Sequence, residues 1–135
     1  IPGATGFGLG IRAVDTARDA ARAVENIADS AIVVRGGADA TTNAFRIDTL
    51  PSGIKGFSVE SANGSDLCTL CKNIPHNQIR TTTAGDIRKA GGDVISTPNN
   101  SSPNHSTVTN LNPESANKVF SAPTKNPVPK ELRSR

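Results

Sequence analysis

With 135 residues, 35% of them hydrophobic, the chain holds material for one domain with a modest core. Trp, Tyr and Met are absent and Phe occurs four times, so that core must come mainly from Ile, Val, Leu and Ala. Fifteen basic against twelve acidic residues give a net charge of +3 and a pI near 9.2; no apolar run reaches the roughly 18 residues of a membrane span and no basic-then-apolar secretory signal opens the chain.

Ile1 to Gly10 holds four Gly and one Pro and reads as a leader. Together with the missing initiator Met, it is what a domain severed from a longer carrier would show. Ile11, Val14, Ala17, Ala21, Val24 and Ile27 then recur at helical spacing, predicting a helix over 11–29 whose narrow Ala-rich stripe suits close packing or docking. Ala31 to Arg35 is a β-branched run stopped by Gly36-Gly37, a buried strand that delivers Arg35 to its end. Residues 38–53 look irregular, and 56–61 alternate as a second strand. A short helix is expected over 66–72, ending before Pro75. Thr81-Thr82-Thr83 reads as a turn, with Thr83 capping a helix to about Ala90 that Gly91-Gly92 ends. Strands at 93–97 and 105–109 follow, separated by a polar loop. Asn112 then caps a helix with Pro113 at its first position and Glu114 in its first turn. The Pro-rich, basic stretch 123–135 is expected to be extended or disordered. The chain thus divides into a leader and helix (1–30), a catalytic domain (31–122) and a tail (123–135). Hairpins and short loops dominate, which favours an α+β fold: an N-terminal helix, then a small, mainly antiparallel sheet with short helices packed on it.

The positive excess lies late: residues 1–30 carry −1, 31–80 carry +1 and 81–135 carry +3. Such a bias favours a polyanion such as nucleic acid, though a charge this small fits a solvated surface equally well. Cys68 and Cys71 form a C-x-x-C that is open to redox, half-zinc or idle-thiol readings. A polar turn precedes the motif where a redox site needs a strand, and only His76 and His105 are at hand as further ligands, so buried or idle thiols are favoured. The acids are scattered and form no two-metal cluster, so no metal is expected. The glycines match no phosphate-binding fingerprint, and no cofactor is expected.

His105 is the most informative residue. It sits between Pro103-Asn104 and a β-branched strand, and period-2 geometry puts His105, Thr107 and Thr109 on one face. An imidazole beside a hydroxyl, with a guanidinium near, is what metal-free RNA cleavage requires: a base for the ribose 2′-hydroxyl, a cation for the phosphorane, a hydroxyl to orient the phosphate. The candidates are His105 as acid/base, Arg35 as cation and Thr107 as phosphate ligand, with Ser58, Thr109, Arg88 and Lys89 as substrate contacts. The competing reading of His105 is a loop cap, that of Arg35 a surface residue beside a glycine turn, and His76 reads as an exposed loop residue.

The string Val34-Arg35-Gly36-Gly37, Gly56-x-Ser58-Val59, Asp86-Ile87-Arg88-x-Ala90-Gly91-Gly92-x-Val94-Ile95, Pro103-Asn104-His105-x-Thr107-Val108 and Asn126-Pro127 resembles a cassette at the C-termini of contact-dependent inhibition and Rhs-type polymorphic toxins of bacteria. The resemblance spans roughly residues 32–128. It implies a secreted or surface-delivered effector acting in a target cell's cytoplasm and neutralised by an acidic immunity protein. Many such domains are metal-independent RNases of barnase, EndoU, colicin or RelE-like fold, often acting on tRNA. The rival expectations are an ADP-ribosyltransferase-like toxin using NAD, with Arg35 and Ser58 opening an Arg–Ser–Glu set whose third member, Glu114, falls in a helix rather than on a late strand, and a non-enzymatic binding or delivery module.

Overall fold

A strand buried on both faces needs apolar residues at every position, and Ile32–Gly36 (β1) meets that need through Val33 and Val34, both fully buried. In the computed structural model, which describes residues 26–50 and 53–134, β1 lies inside an α+β sheet of seven strands. The other strands are Asp48–Thr49 (β2), Lys55–Glu60 (β3), Gln78–Thr83 (β4), Asp93–Ser96 (β5), His105–Thr109 (β6) and Thr124–Lys125 (β7). Their order is β5-β6-β3-β1-β4-β7, with β2 paired to β3, and every ladder is antiparallel.

Alternation along the strands divides the interior into two cores. On one face Val33, Phe57, Val59, Val94 and Val108 pack with Ile27, Phe45, Ile87, Leu111 and Phe120. Helices Ala84–Lys89 (α2) and Pro113–Val119 (α3) contribute to this layer, as does a 3-10 turn over Thr42–Phe45. The rings of Phe45, Phe57 and Phe120 meet pairwise with centroids 5.0–5.9 Å apart, each such contact adding about 0.5–1.5 kcal/mol beyond area burial. On the other face Val34 and Ile79 pack with Leu70 and Cys71 of helix Leu67–Cys71 (α1), and with Ile74 and Val128. This second core covers β1 and β4 and stops short of β3 and β6.

Local chemistry accounts for the helix ends. The side chains of Asp66, Thr83 and Asn112 accept from the backbone N–H of Thr69, Asp86 and Ser115. Gly91, at φ 100°, ends α2 in the left-handed region.

Two expectations meet a different structure, and a third falls mostly outside the described residues. Gln78–Thr83, read as a loop and turn, is the long strand β4. Its single aliphatic residue hides the pattern, while its threonines and the buried stem of Arg80 supply the β-branched and packing surface. The tail is ordered: Thr124 and Lys125 pair with Ile79 and Gln78, Asn126 and Val128 are buried, and Ser134 N donates to Lys72 O at 2.8 Å. Most of the helix expected over 11–29 lies outside the described residues. Its last positions are not helical, since Asn26 bridges to Ile95 and a turn follows at 29–30.

Candidate functional site

Where the second core stops, the sheet surface opens into a pocket of about 420 Å³ lined by Arg35, Gly36, Ser58, Glu60, His76, Asn99, Ser101 and His105, among others. Strand register explains the grouping. Val34 lies opposite Glu60, and Glu60 opposite His105, so one row of side chains crosses β1, β3 and β6 on one face. Both histidines of the chain line this pocket.

His105 is held in one orientation. Its Nδ1 lies 2.8 Å from the carbonyl oxygen of Thr97 and 2.9 Å from Thr97 Oγ1. A carbonyl only accepts, so the tautomer that uses this contact carries its proton on Nδ1 and leaves the Nε2 lone pair available. Thr97 Oγ1 lies 2.8 Å from Thr107 Oγ1, and Thr107 is fully buried. Thr107 therefore supports the residue that orients His105, and its burial keeps it from direct contact with a phosphate.

Glu60, 4% exposed, accepts from Ser102 Oγ at 2.6 Å. Ser102 Oγ also accepts from Asn104 N, and Ser61 N donates to Asn104 O. These contacts fix the 97–104 loop that brings Asn99 and Ser101 to the pocket.

Arg35 lines the pocket, but alternation along β1 sends its side chain toward the phenylalanine face. Its Nε donates to Ala44 O and its Nη1 to Ser58 O, both at 2.6 Å, and its guanidinium carbon stands 5.1 Å from the Phe57 ring centroid. The β1–β3 ladder is down to the single pair Val34 with Glu60, and the guanidinium bridges the strands where they diverge. Burial pushes the Arg35 pKa down, and the Asp48 charge partly opposes this.

The remaining candidates divide clearly. Ser58 lines the pocket, whereas Thr107, Thr109, Arg88 and Lys89 do not. Thr109 is at the far end of β6, opposite Asp93. Arg88 is clamped between Asp29 at 2.6 Å and Asp93 at 2.9 Å, which raises its pKa and ties α2 to its surroundings. Lys89 is exposed on the same helix. Glu114, in the first turn of α3, is also outside the pocket.

The residue that sequence reasoning passed over is His76. Its loop is pinned by the C-terminal segment: Asn126 Nδ2 donates to the carbonyls of Ile74 and His76, and Asn126 N to that of Asn77. Arg133 Nη1 donates to Pro75 O and Asn77 Oδ1. A Cβ on Gly36 would collide with His76 Nδ1 and sit 2.7 Å from Ile74 Cγ2, so glycine at that strand position is what lets the ring lie against the sheet.

Among the described residues no group of three His, Cys, Asp or Glu could hold a metal ion, and no helix is long and apolar enough to cross a membrane. Cys68 is exposed and Cys71 buried in the second core. Burial, reinforced by the neighbouring Cys68 thiolate, pushes the Cys71 thiol from 9.0 up to about 11. A thiol that keeps its proton longer in the folded state than in the unfolded one withdraws stability as pH rises from about 9 toward 11, and not below. At pH 8 a disulfide reagent such as Ellman's should accordingly modify one thiol per native chain, Cys68, and the second only on unfolding. Rapid labelling of both thiols in the native protein would contradict that burial.

Comparison with protein families, curated proteins and solved structures gives no match for the chain.

Proposed function

We propose that the domain is a metal-independent ribonuclease that cleaves by 2′-hydroxyl transesterification, with His105 as the general base. The observation that carries this reading is the orientation of His105: its Nδ1 lies 2.8 Å from the Thr97 carbonyl oxygen, and its ring borders a polar pocket. In the tautomer that donates to this carbonyl, the imidazole accepts a proton at Nε2 without first turning. Arg35, whose guanidinium lies on the phenylalanine face and donates to Ala44 O and Ser58 O, fixes the pocket wall from behind, and Ser58, Asn99 and Ser101 offer hydrogen bonds to phosphate or base. On the resemblance to polymorphic toxins, the substrate is tRNA in a target cell's cytoplasm and the natural inhibitor an acidic immunity protein.

Arg35 and Ser58 do share the pocket with a buried glutamate, Glu60, which keeps the ADP-ribosyltransferase reading as the competing one. Glu60 already accepts from Ser102, an arrangement that suits support of a loop better than attack chemistry.

Incubating the domain with total RNA in EDTA, with and without NAD, tests the proposal. The expected result is discrete cleavage that needs neither metal nor NAD, leaving a 2′,3′-cyclic phosphate on the 5′ fragment. ADP-ribose transfer with RNA uncut would assign the pocket to the competing reaction, and no reaction in any arm would leave the protein as a binding module.

A further inference from the structure

We infer that His76 is the second half of an acid/base pair with His105, protonating the leaving 5′-oxygen; the inference rests on the ribonuclease reading above. His105 stands on β6, and the His76 ring lies against Gly36 of β1 on the same face. β3 alone lies between those strands, and both rings line the same pocket. The reaction needs one phosphodiester held in that pocket with each imidazole about 3 Å from its oxygen. An in-line displacement requires base and acid on opposite sides of phosphorus, and the two histidines line the pocket from different elements, His105 from β6 and His76 from the loop beside Gly36 of β1.

The proton balance closes without another reactant. The 2′-hydroxyl gives its proton to His105 Nε2 as the O2′–P bond forms. The P–O5′ bond breaks, and the departing oxygen takes its proton from the His76 imidazolium. The products are a 2′,3′-cyclic phosphate and a free 5′-hydroxyl.

The fold maintains this placement at a cost that an exposed loop would not otherwise require. Asn126, 2% exposed, and Arg133 together fix the backbone of residues 74–77, and β1 carries glycine where any Cβ would displace the ring. Residues 124–134 are thus the clasp that positions an acid.

The test compares two substrates with His76→Ala. One is RNA, whose alkoxide leaving group needs a proton; the other is an equimolar mixture of the four nucleoside 3′-(4-nitrophenyl phosphates), whose leaving group does not. His76 is exposed, so the variant should fold, which circular dichroism checks. The expected result is an about 10²–10⁴-fold loss on RNA and less than about 10-fold on the nitrophenyl esters. Equal losses on both substrates would make His76 a binding or positioning residue and overturn the inference. RNA cleavage unchanged in His76→Ala but lost in His105→Ala would overturn it while leaving the ribonuclease reading intact. Failure of the wild type to cleave RNA or the esters would remove that reading itself.

Discussion

His105→Ala should retain its fold and lose RNA cleavage by about 10²–10⁴-fold, the usual contribution of a positioned general base. The loss should appear in kcat more than in KM, because a base that takes its proton in the transition state adds little to ground-state binding. It should also extend to the nitrophenyl esters, since both substrates need the 2′-hydroxyl activated. His105→Gln is an informative companion, as its amide can donate to Thr97 O but cannot serve as a base near neutral pH. His105 belongs to neither hydrophobic core, so truncation removes the imidazole without opening either. Single-turnover cleavage by purified, folded variants is the measurement. Wild-type rates in His105→Ala would refute the site.

The largest effect on stability should come from Arg80, which is 4% exposed. Its guanidinium donates to the carbonyls of Ser121, Asn117, Phe120 and Asp39 and to Asn117 Oδ1, and it stands 4.9 Å from the Phe45 ring centroid. Burial depresses its pKa, with Asp39 opposing. Arg80→Met keeps the apolar stem but leaves several carbonyls at the end of α3 without their donor. Orphaned buried acceptors lose about 1–3 kcal/mol each, partly recovered by relaxation and water, so a net loss of about 3 kcal/mol is expected in urea denaturation. A change below about 0.5 kcal/mol, the range of ordinary surface substitutions, would show that this network contributes nothing net.

Much of this architecture is legible in the chain because local signals agree with one another. Thr83 and Asn112 announce helix starts and Gly91 a helix end, and alternation in 56–61 and 105–109 locates β3 and β6. His105 stands out because a lone imidazole at the start of a β-branched strand has few structural uses. His76 gives no such signal: its loop is polar, and its placement depends on Gly36, Asn126 and Arg133, residues 40 to 57 positions away. The one available hint is compositional, since a chain with only two histidines puts both in one pocket. Arg35 illustrates the opposite error. Its place at a strand end is readable, but the direction of its side chain follows from where β1 and β3 diverge, a tertiary property. Arg88 likewise looks free in sequence until Asp29 and Asp93 are brought beside it.

The central ladders join residues about fifty positions apart, Ile32 with Thr83 and Ser58 with Thr107, while the helices span only five to seven residues. Helices that short do not persist alone in water, and distant strand pairings are rewarded only after their loops have closed, which places such topologies among the slower folders, in the millisecond-to-second range. The pocket inherits this order of events. Its walls come from β1, β3, β6 and the 73–76 loop, so a partly folded chain has neither pocket nor opposed imidazoles. The proposed activity would therefore belong only to the finished sheet, arriving when the last long-range pairing closes.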